Sequence, residues 1–476
     1  MSLSKERLDI VIFGASGFTG KYTVEELHRI TKYYEKNLTW GIAGRSEEKL
    51  KDVLNQLINK TVHFNSTQLL TLYKSQVRPT VEFVSHLWSG APKCLKNTLD
   101  SVQKRDVSII IADIGDEESL RRMASRAKVV INCCGPYRFF GPAVVKACVE
   151  EGTHHVDVSG EPYMENMQLK YHEAAKRAGV YVVSACGFDS IPSDLGVIFL
   201  QQNFKGTVNS CEAYLRTLLP PDGKGKGKGS NAVFNYATWE SLINGVKELS
   251  ELKAIRKELN PIKQSPLKPL LNQKGIIHKD PVDKFWYVPF PGADRPVVNR
   301  TQRFLNETYE TRPAQFQAYF GFPYMKYALS TLLVGSVISF LTKFSTGQKL
   351  LLNHPKFFTL GVISREGPSE ENMKNTSFMV AVSGEGWNED EQDVEGKAPT
   401  KTMRVEVTGV NPGYGATCTC VIYSAITLLR EYHKIPGTGG VLTPGAAFGN
   451  TTLIENLQKH NVNFRVVSVN KLKAKL

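Results

Sequence analysis

Short apolar runs alternate with amphipathic stretches along the first part of the chain, residues 1–195. Runs of this length are typical of parallel strands that are buried on both faces. Strands that alternate with helices at this spacing predict a doubly wound, Rossmann-like α/β domain with right-handed crossovers. The predicted strands cover residues 9–13, 38–43, 107–112, 128–133, 154–158 and 180–184.

Residues 61–101 interrupt this rhythm where a short loop is expected. A stretch this long without regular structure is uncommon within a compact domain. We therefore interpret 61–101 as an atypical insertion into the first domain.

The pattern changes after residue 195. Apolar and polar residues alternate within 206–220 and 376–410, as in antiparallel strands with one solvated face, and 230–259 has a helical pattern. This predicts an inserted α+β domain at 196–414 with a mostly antiparallel sheet. The C-terminal segment, 415–476, is predicted to pack back on the first domain. A glycine–lysine run at 223–229 predicts a flexible basic loop.

An apolar stretch at 327–341 is shorter than the roughly 20 residues that a membrane-spanning helix needs. A second apolar segment follows after a polar turn and ends near residue 358. The two segments are interpreted either as a hairpin on a membrane or lipid-droplet surface or as a buried helix pair. Aromatic residues and lysines at their edges suit an interface.

The formal net charge is +13, which fits a phosphorylated cofactor or an acidic membrane surface as partner. No nucleic-acid-binding motif is found, so we expect no nucleic-acid partner. The eight cysteines form no Cys-x-x-Cys pair, and no histidine cluster completes a metal site. Together with a polar start that does not resemble a signal peptide, this predicts an intracellular protein with reduced thiols and no metal.

A glycine-rich turn follows the first predicted strand, with Gly14, Gly17 and Gly20 at its key positions. Gly14 allows a sharp turn, Gly17 lets the backbone approach a pyrophosphate, and Gly20 lets the helix pack on the strand. A pyrophosphate needs such backbone N–H groups at a helix N-terminus. The sequence therefore predicts a dinucleotide cradle that also includes Ala15, Ser16, Phe18 and Thr19.

Arg45 follows the second predicted strand, where an acidic residue would bind the ribose 2′-hydroxyl of NAD. Arginine suits a 2′-phosphate, so the sequence favours NADP over NAD, although Arg45 could instead pair with a surface carboxylate. Asp113 follows the third predicted strand, where it could contact the adenine or cap the next helix.

Further candidates follow the later strands of the first domain. Cys134, Gly135 and Tyr137 are predicted on the nicotinamide side of the cofactor, although Tyr137 could equally belong to a structural turn. A proton donor for hydride chemistry should come from this rim of the sheet. The candidate acids, bases and substrate ligands are Tyr137, Asp157, Ser159, Glu161 and Asp189. Helix capping alone could explain Ser159, Ser193 and Asp194.

These motifs, in this order, resemble the saccharopine dehydrogenase-like oxidoreductases. The resemblance implies a Rossmann domain, an inserted α+β domain, a C-terminal return and nicotinamide-dependent oxidoreductase activity. It also implies lipid-droplet or membrane association in the animal branch and glycolipid synthesis in some relatives. For this chain we expect a location at a lipid droplet or membrane surface, with mitochondria as an alternative. The matching segments are VIFGASGFTG (11–20), AGRSEEKL (43–50), INCCGPYRFFG (131–141), VDVSGE (156–161), GFDSIPSDLG (187–196), NRTQRF (299–304) and GGVLTPGAAF (439–448).

The sequence departs from the family at 61–101, which is longer than the family's loop, and in its second domain, so saccharopine is not assigned as substrate. Two hypotheses follow. The chain is an NADP-preferring oxidoreductase with an apolar or lipid-linked substrate, or it is a lipid-droplet or membrane-associated protein that keeps the Rossmann domain for structure or redox sensing.

Overall fold

The computed structural model of this 476-residue chain describes residues 6–58, 107–160, 163–218, 232, 234–260, 266–280, 283–359 and 361–472. The predicted insertion at 61–101, the glycine–lysine run at 223–229 and Glu161 lie outside the described residues.

Seven parallel strands form the first sheet, in the order β15-β6-β5-β4-β1-β2-β3. The direction of strand addition reverses between β1 and β4, and ligands bind at such a switch point in doubly wound folds. The predicted Rossmann-like α/β fold is therefore confirmed. Its strands are β1 (Leu8–Phe13), β2 (Trp40–Gly44), β3 (Ser108–Ile111), β4 (Ala127–Asn132), β5 (His154–Asp157), β6 (Tyr181–Val183) and β15 (Gly440–Leu442).

Helices alternate with the strands of the first sheet. One of them begins at Tyr137, so Pro142 lies inside this helix rather than at its first position, where proline is usual. A proline in a helix interior removes one backbone hydrogen bond, and this helix tolerates that loss. The helices are α1 (Phe18–Tyr33), α2 (47–58), α3 (Glu117–Ala124), α4 (Tyr137–Glu150) and α5 (Tyr163–Ala178).

The second sheet also has seven strands, in the order β16-β14-β13-β7-β11-β10-β9. All neighbouring pairs are antiparallel except β7 and β11. The predicted mostly antiparallel sheet is therefore confirmed. Its strands are β7 (Gly206–Leu218), β9 (His278–Lys279), β10 (Trp286–Pro289), β11 (Gln315–Phe322), β13 (Ser377–Asn388), β14 (Lys401–Val410) and β16 (Val462–Lys471).

Two helices, α6 (Ile191–Phe204) and α8 (Asp294–Tyr309), pack on one face of the second sheet. Helix α6 follows β6 of the first sheet directly, so the boundary predicted at residue 195 falls inside this helix. One hydrophobic core extends from Ile12 in the first sheet to Val382 in the second. This shared core fixes the two sheets against each other.

A separate helical layer surrounds a two-stranded parallel sheet of β8 (Phe234–Asn235) and β12 (Ile363–Ser364). Trp239, Ile243, Ile338 and Leu351 form its small core. Within the described ranges, no helix combines the length and the apolar character needed to cross a membrane. The helices of this layer are α7 (Tyr236–Leu259), α9 (Met325–Leu341), α10 (Ser345–Asn353) and α11 (Pro355–Phe358), and α12 (Glu370–Asn375) follows β12.

The C-terminal segment contributes one strand to each of the two large sheets. A π-helical turn (Pro412–Ala416) leads into α13 (Thr417–Glu431), which packs against α1, β4 and β5. Strand β15 then extends the first sheet, whereas β16, the last strand, pairs with β14 of the second sheet. The return to the first domain therefore ends before β16, because β15 already occupies that edge of the first sheet and β14 offers a free edge. The short helices α14 (Pro444–Phe448) and α15 (Leu453–Gln458) connect them.

Candidate active site

The glycine turn joins β1 to α1 at the switch point of the first sheet. Gly14 has φ +78°, and a Cβ there would approach the Cys133 carbonyl carbon to 3.0 Å. A Cβ on Gly20 would collide with the Gly14 carbonyl oxygen, so α1 can pack here only without a side chain. Gly17 precedes α1 without a side-chain capping bond, which leaves first-turn N–H groups for an anion.

A cavity of about 360 Å³ lies beside this turn at the carboxyl ends of β1 to β4. We call it the dinucleotide cavity. It brings together seven of the predicted cofactor residues: Gly14, Ser16, Gly17, Arg45, Asp113, Cys134 and Gly135. Phe13, Gly44, Ser46, Lys49, Ala112, Ile114, Cys133 and Phe140 complete its lining. Ala15 is buried behind the turn.

Arg45 and Asp113 both line the dinucleotide cavity, and their side chains lie close to each other. Arg45 Nε stands 3.9 Å from an Asp113 carboxylate oxygen, and the Arg45 side chain is 80% exposed. An exposed pair at this distance contributes little to stability, so the guanidinium stays available to a ligand. Ser46 caps α2 by accepting a hydrogen bond from the Lys49 amide at 3.3 Å.

Asp113 does not cap the following helix, which was the alternative to an adenine contact. Asp116 is the N-cap of α3, because its side chain accepts hydrogen bonds from the amides of Glu118 and Ser119. Asp113 instead accepts a hydrogen bond from the Gly115 amide at 2.9 Å. Its other carboxylate oxygen is the one that faces Arg45.

A second cavity of about 110 Å³ opens at the carboxyl ends of β5 and β6, and we call it the β5–β6 cavity. Thr19 of the glycine turn lines it, so both cavities border the same turn. Its walls combine hydroxyl groups with apolar side chains, as small-molecule sites do, but its volume is enough only for the reacting end of an organic substrate. The other lining residues are Val158, Ser159, Ala185, Gly187, Phe188, Asp189, Ser190, Phe234, Thr238, Gly413, Tyr414 and Thr417.

Asp189, one of the predicted catalytic residues, lines the β5–β6 cavity. Its side chain is exposed to the β5–β6 cavity, and the surrounding protein desolvates the site enough to raise the pKa of its carboxyl. The neighbouring Phe188 amide donates a hydrogen bond to Thr417 Oγ1 at 3.1 Å, which fixes this loop. A carboxyl with a raised pKa in a cleft suits general acid catalysis.

Asp157 is completely buried at the end of β5 and is not among the residues that line the β5–β6 cavity. Its carboxylate accepts hydrogen bonds from Ser159 N and Oγ, at 2.9 and 2.6 Å. It also accepts hydrogen bonds from Ser184 Oγ at 3.1 Å and from the Ala185 amide at 3.3 Å. Asp157 therefore holds Ser159 and Ala185, two residues of the cavity wall.

Tyr137 begins α4, and its hydroxyl donates a hydrogen bond to the Asn132 carbonyl oxygen at 3.0 Å. Its ring lies 6.0 Å from that of Tyr163, and burial raises the pKa of its hydroxyl well above the usual value. These contacts fit the alternative in which Tyr137 stabilises the turn after β4.

Helix capping does not explain the polar residues after β5 and β6. Ser159 Oγ donates to Asp157, and Asp194 accepts hydrogen bonds from Thr301 Oγ1 at 2.9 Å and the Gly445 amide at 2.6 Å. Burial raises the pKa of Asp194 to about 6, against the opposing effect of these two donors. Ser193 instead donates to Asp294, a buried acid whose pKa is raised well above normal by burial, with Asp189 and Asp194 adding to the increase.

Tyr414 of the π-helical turn is a cavity residue that the sequence does not point to. Its hydroxyl accepts a hydrogen bond from the Asn235 amide at 3.0 Å. Its ring packs edge-on against Phe18 of the glycine turn, with 4.8 Å between centroids. Burial raises the pKa of Tyr414 to about 12, so its hydroxyl stays protonated. The Asn-Pro-Gly-Tyr-Gly sequence at 411–415 indicates a turn but not its distant partner.

Burial disfavours the reactive thiolate form of the two cysteines near the site. Burial raises the pKa of Cys133 to about 12 and also raises that of Cys134. A thiol with a raised pKa is a poor nucleophile. The seven cysteines in the described part of the chain are free thiols. The described residues as a whole contain no cluster of His, Cys, Asp and Glu side chains that could bind a metal ion.

Comparison with known proteins gives full-length relatives. A family model described as the saccharopine dehydrogenase NADP binding domain matches residues 80–183. A Homo sapiens protein named saccharopine dehydrogenase-like oxidoreductase is 36% identical over 98% of this chain and 99% of its own. A Caenorhabditis elegans protein named lipid droplet localized protein is 36% identical over 97% and 99%, respectively. An Arabidopsis thaliana protein named "Probable mitochondrial saccharopine dehydrogenase-like oxidoreductase" is 30% identical over 97% and 96%.

Proposed function

The chain belongs to the saccharopine dehydrogenase-like oxidoreductases, and from that membership we propose that it catalyses NADPH-dependent reduction of an apolar substrate. The dinucleotide would occupy the dinucleotide cavity and the substrate the β5–β6 cavity. One observation carries this proposal: both cavities border the glycine turn at the switch point of the sheet.

The preference for NADP is supported by the groups at the end of β2. Arg45, Ser46 and Lys49 line the cavity there, and neither Asp nor Glu stands at this strand end. A guanidinium with an ammonium nearby suits a 2′-phosphate, whereas NAD would need a carboxylate for its ribose. Asp113, across from Arg45, is placed for the adenosine end of the cofactor.

The remaining residues have separate roles in this proposal. The N–H groups at Gly14 to Gly20 cradle the pyrophosphate, and Cys134 and Gly135 lie along the path to the nicotinamide. Bound NADPH supplies the hydride. In this proposal Asp189 donates the proton that a reduced carbonyl oxygen or enoyl carbon would take up, because its carboxyl lines the substrate cavity and burial shifts its pKa upward. Asp157 and Tyr137 are positioning residues that hold the ends of β5 and β4.

The walls of the β5–β6 cavity support an apolar substrate. Val158, Phe188 and Phe234 contribute hydrocarbon surface, and hydroxyl groups are available to orient one polar group. An apolar or lipid-linked aldehyde, ketone or enoyl compound fits this mixture. The exposed apolar side of α9 and the lipid-droplet name of the C. elegans relative support work at a lipid-droplet or membrane surface inside the cell.

The same exposed apolar surface supports a second candidate, a lipid-surface protein that binds a dinucleotide without turnover. Leu333 is 67% exposed and Phe340 60% exposed on α9. Such a protein would bind NADPH but would not oxidise it with any substrate class.

The test is NADPH oxidation by the purified full-length protein with long-chain aldehydes, ketones and enoyl thioesters. Asp189→Asn should lower turnover at least about 100-fold, because general acids contribute that much, while NADPH affinity stays within about twofold. The exposed Asp390→Asn is the matched control and should retain full turnover. Turnover by Asp189→Asn at the wild-type rate would contradict the role of Asp189. NADPH binding without turnover on the whole panel would favour the second candidate.

A further inference from the structure

Helix α9 is apolar on all sides, but the residues that the structure describes pack against only one of them. Ile338, with Val334 and Leu341 nearby, packs into the small core below the helix. The adjacent side, about 100° around the helix, carries Leu329, Leu333, Val337 and Phe340, which are exposed by 47, 67, 41 and 60%. Their spacing of four, four and three residues places them on one helix face. The Phe344 ring lies 5.4 Å from that of Phe340, and Phe344 and Phe357 are exposed by 53 and 76%. We call these six exposed apolar side chains the docking face.

The charges around the docking face are suited to an anionic lipid surface. Residues 324–359 contain four lysines and neither Asp nor Glu. Tyr324 and Tyr327 are 62 and 46% exposed at the start of α9, and the Lys326 ammonium lies over both rings. Exposed aromatics beside lysines are typical of a lipid interface, and lysines add attraction to anionic headgroups.

The layer beneath the docking face reaches the β5–β6 cavity through one short segment. Trp239 is buried under α9 and α10, and its Nε1–H donates to the Leu351 carbonyl oxygen at 2.9 Å. Thr238, the preceding residue, lines the cavity. Phe234 links the cavity to the helical layer, because it lines the β5–β6 cavity and also packs against the small core that contains Trp239 and Leu351.

Asn235 connects this segment to the glycine turn. Its amide donates to Tyr414 Oη at 3.0 Å, and its side-chain amide donates to the Arg365 carbonyl oxygen at 3.2 Å. Tyr414 in turn packs on Phe18. The β8–β12 sheet that holds Asn235 has only two residue pairs, so the cavity wall depends on the helical layer for support.

We infer that docking of this face on an anionic lipid surface orders the 234–240 wall of the β5–β6 cavity and thereby tightens dinucleotide binding. A lipid surface that immobilises α9 and α10 also immobilises Trp239, which packs beneath them. The neighbouring cavity residues Phe234 and Thr238 are then held in place as well. The ordered wall holds Tyr414 through Asn235, and Tyr414 packs on Phe18 of the glycine turn. The dinucleotide then binds to an already ordered turn at a lower entropic cost. Linkage requires the reverse effect as well, so bound NADPH strengthens lipid docking by the same factor. The NADPH part of this inference rests on the proposed function.

The test combines hydrogen exchange with NADPH titration of the full-length protein, with and without phosphatidylcholine vesicles containing about 30% phosphatidylserine. The vesicles should slow amide exchange across 234–240 and tighten NADPH binding by about fivefold, a typical coupling factor. Pure phosphatidylcholine vesicles should have a weaker effect on both.

Three variants separate docking from coupling. Leu333→Glu with Phe340→Glu should bind NADPH normally but lose vesicle binding and both vesicle effects. Leu270→Glu with Ile276→Glu is the matched control, because both side chains are 69% exposed outside the docking face, and it should behave as the wild type. Trp239→Phe keeps most of the packing but removes the hydrogen bond to Leu351. This variant should bind vesicles as the wild type does, but the vesicles should tighten its NADPH binding less than they tighten that of the wild type.

Vesicle binding that leaves both the 234–240 exchange and the NADPH affinity unchanged would overturn the inference, as would failure of the wild type to bind anionic vesicles. Slower exchange at 234–240 in a protein that binds no NADPH under any condition would support the ordering of the wall and contradict the proposed function alone.

Discussion

Arg45 stands at the end of β2, where the identity of one side chain selects between two dinucleotides. Replacing Arg45 with Ala should weaken NADPH binding at least about tenfold and leave NADH binding nearly unchanged, because only NADPH has a 2′-phosphate. Competitive titration with both dinucleotides measures this. Arg122→Ala is a matched control, since Arg122 is also exposed and pairs with acids on α3, outside the dinucleotide cavity. Equal losses for the two dinucleotides would contradict the role of Arg45.

Asp194 should make stability depend on pH in a direction opposite to that of most acids. Its pKa in the folded state is about 6, above the usual value, so the folded protein holds this proton more tightly than the unfolded chain. The stability contributed by the protonated form is present at low pH and is lost as the pH rises to 6 and beyond.

Asp194→Asn keeps the shape of the side chain but cannot ionise. It should match the wild type near pH 4 and exceed its free energy of unfolding by up to about 3 kcal/mol above pH 7. Urea unfolding at both pH values measures this, with Asp390→Asn as the exposed control. A variant less stable than the wild type above pH 7 would show that the charged carboxylate stabilises the fold.

Residues near a strand end could be predicted from the sequence, whereas residues brought in from other elements could not. Gly14 and Arg45 follow recognisable strands, so their neighbours along the chain fix their place. Tyr414 and Thr238 line the β5–β6 cavity from separate elements of the fold. The residues next to them in the sequence do not indicate that they lie at this cavity. Asp157 has the expected position, but its bonds to Ser159 and Ser184 depend on tertiary packing.

Helix α1 depends on two glycines in different ways. A Cβ on Gly20 would collide with the Gly14 carbonyl oxygen, so Gly20→Ala should destabilise the protein by about 2–4 kcal/mol and abolish NADPH binding through loss of the turn. A Cβ on Gly17 would approach the same oxygen only to 3.1 Å. Gly17→Ala should therefore cost about 1 kcal/mol or less but weaken NADPH binding about tenfold, by obstructing the pyrophosphate.

Thermal unfolding and NADPH titration of both glycine variants measure the difference. Equal effects of the two substitutions on stability and on NADPH affinity would contradict the assignment of Gly17 to the ligand and Gly20 to packing.

Elements with one clear hydrophobic period were predictable, and elements with two apolar sides were not. The buried strands of the first sheet and the alternating β13 and β14 match their patterns. For α9 the sequence leaves a lipid-facing hairpin and a buried helix pair open, because apolar residues surround the whole helix. In the structure one side of this helix is buried at Ile338 and another is exposed at Leu333, and the choice between the two interpretations stays a prediction.

The whole molecule is organised by one core that joins two sheets. Helix α6 follows the first sheet in the chain and packs closely on the second. Gly196 allows this close approach, since a Cβ there would lie only 3.2 Å from the Val382 side chain and 3.3 Å from that of Val407. This arrangement brings Asp189 and Tyr414 to one cavity although the chain separates them widely. Sequence patterns predict the layers but not this convergence, because it depends on how the sheets dock. The domain boundaries at 195 and 414 stay predictions.

The central claim is that the dinucleotide cavity binds NADPH, and fluorescence titration of the purified full-length protein with NADPH and NADH tests it most directly. We predict saturable binding of NADPH, at least about tenfold tighter than binding of NADH. Absence of binding by either dinucleotide, in a protein whose cooperative thermal unfolding shows that it is folded, would contradict the account.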